Sequence, residues 1–185
     1  AGFTIRANVE TEAKLLRIEA EGRGTLSPIA SPLAAAKAVA SAAARDQRVG
    51  HGWNTDQRTA TEQLLTSRNR VTALQGYAGT AKTTTVLATF AREAEARGVP
   101  VVALAPTASA AMVLGEALDA RSDTVARHLL SPERPSQGQP AAWIVDEASL
   151  LSSRDTARLF DLAEKQNARV ILVGDVKQLG SVEAG

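Results

Sequence analysis

The feature that most constrains this chain is a set of four short, nearly all-apolar runs, at 71–75, 99–105, 141–145 and 168–173, set between segments with helical spacing. A strand with one face in water alternates apolar and polar residues, whereas a strand covered on both faces reads as a continuous apolar run. The pattern therefore predicts an α/β fold: a parallel sheet covered by helices on both faces. Helices are expected at 55–66, 82–97, 108–118 and 154–166, with a looser stretch after 118 and a Pro/Ser/Gln-rich loop at 131–140. Alanine is the commonest residue and Phe, Trp and Tyr together make only 3%. The core must then be built from Ala, Val, Leu and Ile, which suits close helix-on-sheet packing.

The first fifty residues read differently. Thr4 suits the cap of a helix running to about Ala20, with Ile5, Val9, Leu15, Leu16 and Ile18 on its apolar side and Gly22 as its stop. Pro32 suits the first turn of an alanine-rich helix over 33–44. A Gly50-His51-Gly52 break follows, so residues 1–50 are expected to form a small helical appendage and residues 51–185 the α/β domain. There are no internal repeats. A total of 185 residues fits one domain plus such an appendage. The chain begins Ala-Gly-Phe-Thr, with neither Met nor a signal-peptide pattern, as expected of a piece excised from a longer protein.

Charge and composition exclude several classes. Lys and Arg number 21 against 20 Asp and Glu, a net charge of +1. That argues against a protein held to nucleic acid or membrane by overall charge, while leaving room for a local basic groove. With no cysteine there is no disulfide and no Cys-ligated metal, and two histidines leave little for a His-based metal site. A reducing, cytoplasmic location is compatible with this. No apolar run approaches the roughly 18 residues of a membrane span.

The first apolar run ends at Gln75 and leads into Gly76-Tyr77-Ala78-Gly79-Thr80-Ala81-Lys82-Thr83-Thr84, where a helix is expected to open. The phosphate-loop pattern G-x-x-x-x-G-K-[ST] is met everywhere except at Ala81. A loop of small residues lets successive backbone N–H groups point inward at an anion, and the helix start adds its positive dipole end. Lys82 would give a point charge to the β- and γ-phosphates, and Thr83 a hydroxyl ligand to Mg²⁺. An ordinary strand-turn-helix with a solvent-facing lysine accounts for the same residues. If position 81 needs a positive φ, the alanine Cβ costs on the order of 1 kcal/mol.

Ligands of open α/β sheets sit beyond the carboxyl ends of the strands. The other apolar runs end in Pro106-Thr107-Ala108, in Asp146-Glu147-Ala148-Ser149 and in Gly174-Asp175-Val176-Lys177-Gln178-Leu179. Asp146 suits a Mg²⁺ ligand and Glu147 a base that deprotonates an attacking water; an N-cap acid followed by a first-turn acid is the structural alternative. Gln178 is either a neutral donor to a γ-phosphate oxygen or a surface glutamine. With Asn54 as N-cap, Gln57 is the reciprocal half of a capping box, and the same position suits a contact to an adenine edge. Thr124 and His128 suit a nucleic-acid backbone contact, though a lone His on a short helix is more often structural.

Taken together, Gln57, GYAGTAKT (76–83), APTASAA (105–111), TVARHLL (124–130), DEAS (146–149) and GDVKQL (174–179) resemble the ordered motifs of superfamily 1 DNA helicases. The resemblance is closest to the RecD-like branch, and within it to the helicase part of TraI-type conjugative relaxases. The opening FTIRANVETEAKLLRIEAEGRG resembles the segment preceding the motor there. The resemblance implies a RecA-like P-loop NTPase domain with ATP and Mg²⁺ as cofactors and single-stranded DNA as partner. It makes Gln57 the adenine contact, Gly76, Ala78, Gly79, Thr80, Ala81, Lys82, Thr83 and Thr84 the phosphate site, and Thr83 and Asp146 the metal-associated pair. Glu147 becomes the catalytic base, Gln178 the link from γ-phosphate to DNA, and Thr107, Thr124 and His128 the DNA contacts. It also implies 5′ to 3′ movement, a place in the conjugative transfer machinery, and a second RecA-like domain of the parent chain beyond residue 185, whose arginines complete the ATP site. A fragment without them is expected to bind Mg²⁺–ATP weakly, turn over very slowly and not unwind DNA. Two other readings compete: a helicase-like module that holds single-stranded DNA or a secretion partner without motor action, and a P-loop ATPase acting on protein partners.

Overall fold

The computed structural model describes residues 2–76, 80–130, 140–176 and 182–183, with side chains described from residue 12 to residue 176 within those ranges. The elements in order are α1 (Gly2–Glu21), α2 (Pro32–Arg48), α3 (Thr55–Thr66), β1 (Val71–Gln75), α4 (Ala81–Ala96), β2 (Val101–Ala105), α5 (Ala108–Leu118), β3 (Arg121–Thr124), α6 (Val125–Leu130), β4 (Ala142–Val145), a 3₁₀ turn (Ala148–Leu150), α7 (Ser153–Gln166), β5 (Arg169–Gly174) and β6 (Val182–Glu183). All pairings in the sheet are parallel and its order is β3-β2-β4-β5-β1-β6. The parallel α/β architecture expected from the four apolar runs is the one observed, and it is the RecA-like fold that the resemblance implies.

Local chemistry sets the helix starts. Ser31 accepts from the Ala34 N–H with Pro32 just inside α2, Thr107 accepts from Ala110 ahead of α5, and Ser152 accepts from Asp155 ahead of α7. The α5 and α7 ends turn on left-handed Asp119 and Asn167. The first helix begins at Gly2, so Thr4 lies within it rather than capping it. Pro100 lacks an N–H, and β2 opens one residue later, where Val101 N–H is taken by Glu95 from α4.

Each buried strand sends alternate residues to two cores. Leu74, Ala103, Ile144, Ile171 and Val173 meet Leu64, Leu65, Phe90 and Leu114 on one face. Ala73, Leu104, Trp143, Val170 and Leu172 meet Leu159, Phe160 and Val125 on the other. Fully burying one such Leu or Phe contributes about 1.5–3 kcal/mol. The N-terminal helices join both layers: Ala35 of α2 packs into the first core and Ile18 of α1 into the second. Between them the chain runs along the amino edge of the sheet, with Leu26 N–H on Arg68 O, Ala30 N–H on Leu65 O and Arg70 N–H on Gly22 O. Buried Arg169 fastens the same stretch by donating to Ser27 O (2.6 Å) and Ser67 O (2.7 Å). Burial, and next the charge of Arg70, push its guanidinium down to about 10, so it stays charged at neutral pH.

Two strands lie outside the four apolar runs. β3 reads Arg-Ser-Asp-Thr and occupies the sheet edge, where no second layer demands apolar residues. Its docking uses Gly115 of α5, where an added Cβ would stand 2.7 Å from Ser122 Cβ and 3.0 Å from Ala120 O. β6 is a two-residue pairing beside β1. Beneath β3, His128 is 8% exposed and meets Trp143 edge-on, with ring centroids 4.5 Å apart. Among the described residues its Nε2 has no hydrogen-bond partner, and burial pushes its pKa below the ordinary value, opposed by Asp123 and reinforced by Arg121. Among the described residues no helix is long and apolar enough to cross a membrane.

Two predictions follow from this packing. Gly→Ala inside a helix ordinarily stabilises by about 1 kcal/mol, but Gly115→Ala should lower stability in urea melts by about 1–3 kcal/mol, because the Cβ collides with β3. Ser122→Gly in the same chain should recover most of that loss, and a stabilising Gly115→Ala would contradict the docking. His128 binds a proton less readily folded than unfolded, so its contribution is constant above about pH 6.5 and falls as the pH drops below it. Urea melts at successive pH values should show that this part of the slope disappears in His128→Gln; a His128-dependent gain on acidification would contradict its burial.

Candidate functional site

Parallel pairing brings every strand's carboxyl end to one edge, and the register levels them. Gln75 stands beside Gly174, Leu172 beside Val145, Leu104 beside Val145, and Ala105 beside Thr124. The loops carrying Gly76, Asp175, Asp146, Thr107 and Val125 therefore leave from the same rim. β5 lies between β1 and β4, so Asp146 stands two strand positions from Gly76, roughly 10 Å across the sheet.

At the end of β1, Gly76 adopts φ 143° and its N–H bonds Gly174 O at 3.1 Å, while Gly174 adopts φ 139°. Side chains rarely tolerate either conformation. Thr80 caps α4: its hydroxyl accepts from Thr83 N–H and lies 3.1 Å from Thr83 Oγ1. Thr84 N–H continues to Thr80 O. Thr83 is 2% exposed, whereas Lys82 is exposed at the helix start. Ala81 is the first residue of α4 and has no positive φ. The missing glycine therefore carries no backbone strain, and the cost foreseen for it does not arise. Ala78 and Gly79 lie outside the described residues, as does Gln178.

Gln57 forms the capping box in full. Its N–H donates to Asn54 Oδ1 at 2.8 Å, and its Oε1 accepts from Asn54 N–H at 2.9 Å. It is 4% exposed, yet it lines a cavity of about 380 Å³ together with Asp46, His51, Trp53, Ala81, Lys82 and Thr85. Cap and cavity wall are one residue. Because the cap uses the amide oxygen, the amide hydrogens are what Gln57 has left to offer a ligand.

Asp146 and Glu147 are partly buried. Asp146 N–H bonds Leu104 O, and Asp146 Oδ1 accepts from Glu147 N–H at 2.8 Å. Glu147 sits at φ 51°, ψ 38°, a left-handed conformation that costs a non-glycine residue about 1–2 kcal/mol. Hydroxyl and carboxylate oxygens at Thr83 and Asp146 suit a hard cation such as Mg²⁺. Among the described residues no group of three or more His, Cys, Asp or Glu is gathered to hold a metal by itself. An ion here would be completed by phosphate and water oxygens.

The remaining candidates stand apart. Exposed Thr107 follows β2 and caps α5, and Thr124 ends β3 with its hydroxyl accepting from Arg127 N–H. They occupy the half of the rim beyond β4, away from the phosphate loop. His128 does not stand with them at the surface: it is buried, with its ring edge-on against Trp143. Sequence reasoning also passed over Gln75, whose Nε2 donates to Asp175 Oδ1 and whose Oε1 accepts from Val176 N–H, both at 3.0 Å. A polar residue closing an apolar strand was the available signal.

The comparisons with known proteins agree with this geometry. A family described as AAA domain matches residues 52–185. The chain is similar to the probable conjugal transfer protein TraA of Sinorhizobium fredii, 37% identical over 70% of this chain and 12% of that protein. It is similar to the ATP-dependent RecD2 DNA helicase of Deinococcus radiodurans, 38% identical over 72% of the chain and 19% of the relative. It is also similar to the multifunctional conjugation protein TraI of Escherichia coli, 27% identical over 97% of the chain and 10% of the relative. The chain thus spans between a tenth and a fifth of these relatives. Fold order, phosphate loop and relatives converge: the chain belongs to the AAA domain family, as a RecD-like superfamily 1 helicase domain related to the TraA and TraI conjugation proteins.

Proposed function

We propose that this chain is the ATP-binding motor portion of a 5′–3′ superfamily 1 DNA helicase, working within a conjugative relaxase that nicks and unwinds plasmid DNA for transfer. The observation that carries the reading is the sharing of one cavity by Gln57, Ala81 and Lys82, on the rim where Asp146 and Glu147 also stand. Lys82 neutralises charge on the β- and γ-phosphates, and the N–H groups at the start of α4 add their dipole. Thr83 and Asp146 would hold Mg²⁺, which would supply charge neutralisation on the phosphate oxygens. Glu147 orients and deprotonates the attacking water. Gln178 follows β5, the strand beside the phosphate loop, and so suits a link between γ-phosphate and DNA. Thr107 and Thr124, on the other half of the rim, contact the DNA backbone.

Developing charge in phosphoryl transfer calls for further cations, and arginines of a second RecA-like domain supply them in this reading. Closing and reopening of the two domains around ATP then steps the protein along single-stranded DNA. The left-handed strain at Glu147 supports a working base over a binding module without motor action, since strain of that kind persists where function holds it.

Lys82→Ala is expected to abolish ATP binding and unwinding. Glu147→Gln is expected to keep ATP bound while hydrolysis falls on the order of 10²–10⁴-fold. Unwinding by the parent protein should require a 5′ single-stranded tail on the duplex. DNA transfer that survives both substitutions would establish the non-motor module instead.

A further inference from the structure

We propose that Trp53, pinned by Asp46, is the surface on which the nucleobase lies, so that the end of α2 forms one wall of the nucleotide site. This rests on the nucleotide reading above and adds to it the residues that grip the base.

The Trp53 indole donates through Nε1 to Asp46 Oδ2 at 2.7 Å, a short bond to a carboxylate. A ring held at one edge has lost its rotamer freedom before any ligand arrives, so stacking on it carries little further ordering cost. Trp53 is partly exposed and lines the same cavity as Gln57 and Lys82. Ala81 and Lys82, at the start of α4, line the same cavity, so a ligand whose anionic groups lie at Lys82 shares that cavity with the indole. The turn at Gly50 and Gly52 is held to the same acid residue, since His51 N–H donates to Asp46 O at 2.9 Å. Asp46, Gly50 and His51 precede residue 52, where the family match begins. A helix outside that match thus fixes the aromatic surface inside it. Aromatic rings accept any base face, so this surface supplies grip while Gln57 supplies edge recognition.

The chain has two tryptophans, and Trp143 is 1% exposed in the core. Tryptophan emission titrated with Mg²⁺–ADP should therefore change through Trp53, and Trp53→Phe should remove the change. Calorimetric binding of ADP and of inorganic pyrophosphate separates base from phosphate. Trp53→Ala should weaken ADP about tenfold or more while leaving pyrophosphate unchanged. Asp46→Ala, which keeps the ring and frees its edge, should weaken ADP by a smaller factor and also spare pyrophosphate. Lys82→Ala should weaken both ligands. Undiminished ADP affinity in Trp53→Ala, beside a loss of both ligands in Lys82→Ala, overturns the surface while the nucleotide reading stands. Both ligands bound equally by Lys82→Ala and the unsubstituted chain overturns both. If Trp53→Ala does not fold, unchanged emission of the unsubstituted chain at saturating ADP overturns the proposal without any variant.

Discussion

The parallel pairing of β1 with β5 is the constraint on which the rest depends. It sets Gln75 level with Gly174, lets Gly76 N–H reach Gly174 O, and brings the end of β1 beside Asp175 and Val176. Gln75 then fastens the two strand ends with a bond in each direction, to Asp175 and from Val176. Because β4 pairs on the other side of β5, the acidic pair arrives on the same rim. A one-residue slip of this pairing would reverse which residues of β1 face each core and tilt the rim out of level. Apolar burial on two faces therefore fixes the geometry of the rim as a by-product of packing.

The N-terminal helices deepen that arrangement. One lies on each face, and the segment joining them crosses the amino edge of the sheet, where Arg169 donates to carbonyls of Ser27 and Ser67 with no carboxylate partner among the described residues. The two edges thus divide the labour. The amino edge is closed by main-chain bonds and a buried guanidinium; among the described residues the carboxyl edge carries glycines, exposed Lys82 and a strained Glu147. The end of α2 reaches the cavity beside Lys82 through Asp46.

What the sequence made legible follows from where burial is double-sided. The runs at β1, β2, β4 and β5 had to be apolar on both faces, and their positions could be read directly. Edge strand β3 has no such requirement, so Arg-Ser-Asp-Thr carries no strand signal. The Asn54–Gln57 spacing announced a capping box, and the box is present; that the same glutamine also walls a cavity depends on α4 lying alongside α3, which spacing does not encode. Ala81 raised a question of backbone strain that only its φ could answer, and the helix begins there instead. His128 on its short helix reads more often as structural than as a surface contact, and the neighbour it packs against, Trp143, is 15 residues further along the chain, where spacing does not point to it.

Backbone amide hydrogen exchange of this chain, with and without a non-hydrolysable ATP analogue and Mg²⁺, tests the central claim most directly. New protection is expected at the start of α4, over Thr80–Thr84, at Gly50–Gln57 and around Asp146–Ser149, with none at the amino edge near Ser27, Ser67 and Arg169. Protection confined to the amino edge, or none at the start of α4 at saturating ligand, would contradict the account.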